Sequence, residues 1–468
     1  MVENEDGIQL SHEQQVCVNF TGENLVVRGE PGTGKTLILL KRAQKLLKQA
    51  GAGTPTKIHL FTFNNALSRY VAELTGEAGM QAVGVSTFHS WAIKALRSIQ
   101  IYPTLVGGKA IRPIIQASID TFRDELPEWL LKRDVKEFWD TEFSWIKGRV
   151  LYEEDEYVEV TRSGLQRLNR DARPLVWKVF QEYNRRLQQM KRMDWSDPAR
   201  VLLERVDDLP LSLRINHVLI DEAQDLDLAQ IKLLRAVATE SLTIAADKAQ
   251  KLYSTSFSWK ELGINLRGRS SKTLRRSFRS TRQIIELARS LGTRPKEEEG
   301  IFPEEVGSMP MIYRLSAPYP EAGFAAKLVR DLHQRDPEAV IGVITMHQWH
   351  FKSLYAQLHD QPVEWISRGK DNDWKLLRPG IKFCTAHSAK GLEFDHVVIF
   401  RLNDGVIPQT PTEDLDEESL QEFYMGWKRL LYVAMTRSKQ TLHITCSRPP
   451  SRFIEELDES LYQNVVIS

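Results

Sequence analysis

Two short stretches of this chain carry residue types at spacings that could do chemistry. The first is Gly29-Glu30-Pro31-Gly32-Thr33-Gly34-Lys35-Thr36, which fits G-x-x-x-x-G-K-[ST]. In such a loop glycines let backbone N–H groups close around phosphate oxygens, and a helix that starts behind it adds the positive end of its dipole. Gly29, Gly32, Thr33 and Gly34 would form the cradle, Lys35 would reach the β- and γ-phosphates, and Thr36 would ligate Mg²⁺. The second stretch is Asp221-Glu222, two adjacent carboxylates at the end of an apolar run, Ile215 to Ile220. Asp221 would hold the same Mg²⁺ through water, and Glu222 would orient and deprotonate the attacking water. A helix cap is the competing explanation for acidic residues after a strand, and Asp225 fits it. The chemistry expected is Mg²⁺-dependent hydrolysis of a nucleoside triphosphate.

Such groups need a parallel α/β sheet, because ligands bind at the carboxyl ends of its strands. Leu25-Val26-Val27 leads into the loop, and Leu39, Leu40, Ala43, Leu46 and Leu47 recur behind it at helical spacing. Ile58 to Phe63 and Val83 to Ser86 read as further strands, with a helix from about Ala66 to Glu77 between them. Ahead of the loop, Ser11 and Gln14 have the spacing of a capping box. Strands are also expected at Leu242 to Ala246, Val340 to Thr345, Ile381 to Thr385, Val397 to Phe400 and Thr441 to Thr445. The last third holds no second phosphate loop, so it reads as a partner domain that supplies residues to a shared nucleotide site. Between about Ser98 and Trp195 the texture is helical and charged. Trp129, Trp139, Trp145, Trp177 and Trp195 fall there, out of 11 tryptophans in all, and read as the core of an inserted domain.

The 468 residues are too many for one core. Hydrophobic residues at 42% and charged residues at 27% describe a soluble globular protein, and no apolar run approaches the length of a membrane span. A formal charge of +1 excludes a bulk electrostatic attraction to nucleic acid, so any such role rests on local grooves. Cys17, Cys384 and Cys446 lie too far apart for a C-x-x-C site, which points to a reducing, cytoplasmic setting. The acidic N-terminus does not read as a signal peptide.

Taken in order, these segments resemble the superfamily 1 helicases of the UvrD/Rep type. GEPGTGKT resembles motif I of that family and VLIDEAQD its motif II. TFHS at Thr87 to Ser90 is similar to the family's TFHG segment. Ala246 to Tyr253 resembles motif III, LRRSFRST motif IV, TAHSAKGLEFDHVVIF motif V and RLLYVAMTRSKQTL motif VI. The resemblance implies two tandem RecA-like P-loop motor domains with a helical insertion in the first. Its boundaries would fall at 1–97 and 196–268 for domain 1A, 98–195 for the 1B-like insertion and 269–468 for domain 2A. It further implies that Gln14 reads the adenine, Phe278 stacks on it where the family usually has tyrosine, and Glu393 contacts the ribose. Gln250 would link the γ-phosphate to the DNA-contacting segment. Arg279 and Arg437 would act as arginine fingers across the cleft.

Bases need π-faces and phosphates need donors. Candidates for contact with a single strand are Phe63, Asn64, Phe88, His89, Tyr253 and Trp259 on the first domain, and His387 and Ser388 on the second. For Phe63 and Phe88, core packing is an equal alternative. The span from Phe278 to Thr385 leaves no length for the family's 2B insertion, and Glu364 to Arg378 reads as a short polar connection. Leu37 stands where the family often has arginine. The stretch after Cys446 is too short for a RecB-like nuclease domain. The resemblance thus implies an ATP-dependent, 3′ to 5′ single-stranded DNA translocase or helicase, acting on single-stranded DNA or a single-strand/duplex junction. A motor subunit that regulates a separate nuclease or repair protein is one alternative, and an RNA helicase another.

Overall fold

The computed structural model describes residues 9–50, 56–162, 165–247, 261–262, 270–293, 301–366, 374–411 and 417–467. Its first half is built on β1 (Asn24–Gly29), β2 (Ile58–Thr62), β3 (Val83–Thr87), β4 (Ile215–Ile220), β5 (Ala238–Ala246) and β6 (Ser271–Leu274). All pair in parallel, in the order β3-β2-β4-β5-β1-β6. Val26, Leu60, Val218, Leu219 and Ile244 are buried, as expected of strands covered by helices on both faces. Because β5 lies between β1 and β4, the carboxyl ends that carry Gly29, Asp221 and Asp247 sit side by side. β6 extends this sheet through Leu274, past residue 269.

The capping box at the N-terminus is formed: Gln14 N donates to Ser11 Oγ and Ser11 N to Gln14 Oε1. The helices Lys35–Ala50, Asn65–Glu77 and Phe88–Ser98 follow β1, β2 and β3. Beyond Ser98 the chain leaves the sheet for a helical body whose core holds Phe138, Trp139, Phe143, Trp145, Tyr157, Trp177, Phe180 and Tyr183. Two of the five tryptophans depart from expectation, Trp129 being 43% exposed and Trp195 48%. In the four-residue helix Glu128–Leu131 it is Leu130 that turns inward, and Trp195 lies on the returning turn against His89 and Gly107. That turn is anchored from the helical body. Lys147 Nζ meets Asp194 Oδ2 at 2.6 Å and Asp197 Oδ1 at 2.7 Å, and Tyr183 donates its hydroxyl to Asp194 at 2.7 Å.

The second half is a seven-stranded parallel sheet made of β7 (Met311–Leu315), β8 (Val340–Thr345), β9 (Val363–Ile366), β10 (Gly380–Thr385), β11 (Phe394–Ile399), β12 (Ser438–Cys446) and β13 (Gln463–Ile467). Their order is β13-β7-β12-β11-β8-β10-β9. Part of the connection expected at Glu364 to Arg378 is therefore the edge strand β9, which pairs with β10. The strands β9 and β13 are edge strands, and β7 and β13 are five residues long and β9 four, which is too short to give a clear period in the sequence. Among the described residues no further helical body interrupts this half. No helix among them is long and apolar enough to cross a membrane.

Candidate active site

The loop between β1 and the helix Lys35–Ala50 closes on itself and on its neighbours. Gly32 and Gly34 take φ of +76° and +83°, where a side chain is strained. A Cβ on Gly34 would come within 2.5 Å of Gln14 Nε2, and one on Gly32 within 2.6 Å of both Ser277 Oγ and Arg279 Cβ. Gln14 donates from Nε2 to the Thr33 carbonyl at 3.1 Å, which ties the expected adenine-reading residue to the loop. The Lys35 ammonium rests on the Gly29 and Glu30 carbonyls, at 2.9 Å each. Burial holds its pKa below the usual lysine range, against the pull of Asp247, Glu222 and Asp221. It is a cation poised among carboxylates, and phosphate oxygens would complete its shell.

Thr36 Oγ1 donates to Asp221 Oδ2 at 2.6 Å, so the two residues expected to share Mg²⁺ already converge. Burial, with Glu222 adjoining, raises the Asp221 carboxyl to about 6. Glu222 takes the left-handed conformation, φ 52° and ψ 40°, a strain stored where the strand turns out of the sheet. Gln224 Nε2 donates to its carboxylate, and Gln224 Oε1 accepts from Asp247 N at 2.8 Å, so the ends of β4 and β5 are tied together. Burial acts to raise the Glu222 carboxyl, but Lys390, Lys35 and Arg437 outweigh it and hold it below its ordinary value.

Two of those cations come from the second half. Lys390, in the turn after β10, is fully buried, pairs with Asp225 and lies 3.8 Å from Glu222. Asp225 is therefore not the helix cap; Asp227 caps Leu228–Val237 by accepting from Gln230 N at 2.8 Å. Arg437 is buried, and donates to the Val433 and Leu392 carbonyls at 2.9 and 3.3 Å. Burial and the nearby Arg279 bring its pKa down to about 10. Arg279 Nε donates to Glu393 Oε1 at 2.8 Å, so the expected phosphate-facing arginine and ribose-facing carboxylate are paired with each other. Burial would raise Glu393, but Arg279 and Lys439 hold it below the usual carboxylate range. Phe278 is 52% exposed and anchored to the loop by its N–H, 2.8 Å from the Gly32 carbonyl. Gln250 lies outside the described residues.

The expected nucleic-acid contacts divide. Phe63 is half-buried, with Lys390 Nζ 5.7 Å above its ring. Asn64 caps the helix Asn65–Glu77, accepting from Leu67 N at 2.7 Å. Phe88 is a correction: at 2% exposure it packs with Phe61 and Trp91 in the first core, so its ring offers no face to a base. His89 faces Trp195, with Nε2 3.0 Å from the Trp195 carbonyl and the rings edge-on at 5.3 Å. His387 is half-buried, and Ser388 is buried in a turn where its N–H donates to Thr385 Oγ1 at 3.2 Å. Tyr253 and Trp259 lie outside the described residues.

Sequence patterns gave no sign of an aromatic pair in the segment that follows β8. Trp349, 69% exposed, stacks on His347 with centroids 4.0 Å apart and planes at 9°. The pair follows β8, the neighbour of β10, and it matches no motif. The ion pair between Arg289 Nη2 and Glu30 Oε2, at 2.8 Å, was equally invisible. Its one signal is a glutamate inside a phosphate loop. Lys390 could have been found, as the one lysine in AKGLEF, the stretch that also holds the expected Glu393.

Comparison with known proteins agrees with this geometry. Residues 10–257 match the UvrD/REP helicase N-terminal domain, and residues 363–449 the UvrD-like helicase C-terminal domain. A "Probable DNA helicase" of Mycoplasma pneumoniae is 24% identical over 495 residues, covering 97% of this chain and 88% of that protein. The ATP-dependent DNA helicase UvrD1 of Mycobacterium leprae is 26% identical over 326 residues, covering 61% of this chain and 40% of that protein. PcrA of Staphylococcus aureus is 35% identical over 111 residues, 21% of this chain and 15% of that helicase. This chain thus spans most of the Mycoplasma protein but less than half the length of the other two. With both halves of the fold matched and the phosphate loop, the Asp221-Glu222 pair and the cross-cleft arginines in place, the chain belongs to the UvrD/REP family of ATP-dependent DNA helicases, with no 2B-like helical body among the described residues.

Proposed function

We propose that the chain is an ATP-driven, 3′ to 5′ translocase or helicase on single-stranded DNA. The observation that carries this reading is that Lys390, Arg279 and Arg437 come from the second half while Lys35, Asp221 and Glu222 come from the first. A site shared in this way turns over only when the halves meet, so hydrolysis is coupled to their relative movement. Lys35 binds the β- and γ-phosphates, Glu222 orients and deprotonates water, and Arg279 and Arg437 stabilise charge on the transferring phosphoryl group once Arg279 leaves Glu393. Gln250 relays γ-phosphate occupancy to the DNA-contacting segment.

The donors at Thr36 and Asp221 suit Mg²⁺, a hydroxyl and a carboxylate already in hydrogen-bond contact. Among the described residues there is no cluster of three or more His, Cys, Asp or Glu side chains able to hold a metal. That favours an ion held by few protein oxygens, with phosphate and water filling the remaining positions. Bound there, Mg²⁺ neutralises phosphate charge.

For the single strand, His89 with Trp195 on the first half and His387 with the Trp349–His347 stack on the second offer π-faces, each worth about 1–3 kcal/mol. The decisive experiment is steady-state ATP hydrolysis by the purified chain, alone and with single-stranded DNA, duplex DNA and single-stranded RNA at matched salt. Stimulation by single-stranded DNA, followed by displacement of a strand in the 3′ to 5′ sense, is the expected result. Equal stimulation by RNA, or displacement in the opposite sense, would overturn the reading.

A further inference from the structure

The helix Asn65–Glu77 works on two faces. Leu67 and Val71, one turn apart, pack into the core of the first sheet. Ala66, Arg69 and Tyr70, also spaced three and four apart, reach the second half instead. Ala66 is buried in the core of the second sheet, the Arg69 guanidinium lies over the Trp374 ring, 5.6 Å from its centroid, and Tyr70 packs against both cores. Burial, and after it the Glu393 charge, push the Tyr70 hydroxyl above the ordinary tyrosine pKa, so the side chain is a neutral wedge.

This helix rests on the segment that carries both cross-cleft arginines. Three consecutive residues there hold three contacts: a Cβ on Gly391 would lie 2.7 Å from Leu67 Cδ2, the Leu392 carbonyl accepts from Arg437 Nη1 at 3.3 Å, and Glu393 Oε1 accepts from Arg279 Nε at 2.8 Å. Phe394 N then donates to the Arg437 carbonyl at 3.0 Å. We infer that the helix Asn65–Glu77 sets the position of both arginines against the phosphate loop, with Tyr70 as its positioning residue. Held to the first sheet through Leu67 and Val71, the helix is a stop in the same body as Lys35, Asp221 and Glu222. When the halves meet, Gly391 to Glu393 seat on that stop and bring Arg437 and Arg279 to a fixed depth in the cleft; without the Tyr70 ring the segment can slide. Tyr70 acts through this segment and not on the nucleotide. The inference rests on Arg279 and Arg437 serving ATP hydrolysis as proposed above.

The test is steady-state ATP hydrolysis by the full chain with saturating single-stranded DNA, beside binding of N-methylanthraniloyl ADP with Mg²⁺ and the thermal midpoint. Misplacing a group that acts in the transition state by about 1 Å can cost on the order of 10²-fold in rate. Tyr70→Ala should therefore lower kcat by roughly tenfold to a hundredfold, while KM for ATP and affinity for the ADP probe, both supplied by the first half, stay within about twofold. Tyr70→Phe keeps the ring and should keep kcat within about twofold of the parent. In an Arg279→Ala chain, Tyr70→Ala should take away far less than it does in the parent, because one of the groups it positions is already gone. A merely structural tyrosine shows the same loss in both chains. Should Tyr70→Ala fail to fold, Tyr70→Leu, which keeps apolar contact but not the reach of the ring, is read in its place.

If Tyr70→Ala keeps the parent's kcat, if KM and the thermal midpoint move while kcat does not, or if its loss is undiminished without Arg279, the positioning role is overturned while the nucleotide site stands. A loss in Tyr70→Phe equal to that in Tyr70→Ala overturns it as well, since the ring is then not what holds the segment. If the parent chain itself hydrolyses no ATP and does not bind the ADP probe, the nucleotide reading falls, and the positioning role with it.

Discussion

Two buried ionic clusters use the same chemistry for different ends. In one, Lys147 bridges Asp194 and Asp197 while Tyr183 donates to Asp194, all within the first half, joining the inserted helices to the returning chain. Burial works to raise Asp194, but Lys147, Tyr183 and the Ser196 N–H outweigh it and hold it low. Asp197, buried beside Asp194, is pushed up. In the other, Lys390 pairs with Asp225 near Glu222, and every link crosses from one parallel sheet to the other. A buried ion pair adds little net stability over apolar packing, yet removing one partner strands a charge and costs several kcal/mol. Where both partners sit in one body the stranded charge has no escape. Where they sit in separable bodies, opening the seam lets water in. The first cluster is a fixed joint, and the second is a seam built to part.

The largest effect expected bears on what the seam is for. Lys35→Ala should abolish ATP hydrolysis, and Arg437→Ala should slow it by on the order of 10³, with little change in folding because neither residue belongs to the joint. Steady-state turnover beside circular dichroism checks this, and near-normal turnover in either variant would remove the assigned site.

Next comes the joint itself. Lys147→Met strands two buried carboxylates and should cost about 3–5 kcal/mol of stability, read from denaturant unfolding. The same change at Lys390 should cost clearly less, because Asp225 and Glu222 can be rehydrated at the cleft. Equal losses at the two lysines would erase the distinction between joint and seam.

The smallest effect is in pH. The Asp221 carboxyl, raised to about 6 by burial and by Glu222, still holds its proton at pH 5 and has lost it by pH 7. Binding Mg²⁺ requires the ionised form, so kcat/KM for ATP should rise with pH through about 6. The sign on stability is the reverse: a carboxyl raised in the folded state contributes stability that is present below its unfolded pKa and lost as pH rises through about 6. Measured turnover that is flat from pH 5 to 7 would place the limiting proton elsewhere.

What the sequence determined by itself is local. The phosphate loop, the carboxylate pair after β4, the Ser11–Gln14 box and the central strands are each written in contiguous residues, because backbone conformation and ligand geometry within a loop depend on near neighbours. The capping box formed as its spacing required, and Thr36 met Asp221 because strand β4 and the loop both end at the same edge of one sheet.

The tertiary structure decided the remainder. Phe88 and His89 are adjacent, yet one is core and the other faces Trp195, since only the packing of the helix Phe88–Ser98 says which side turns inward. Asp225 was a plausible cap until Lys390 arrived from a turn 165 residues away. Glu30 found Arg289 across 259 residues. Such partners share no pattern in the chain. They meet because two sheets, each specified by its own apolar strands, come together along one cleft, and charge that is costly to bury alone becomes tolerable only where that meeting supplies its opposite.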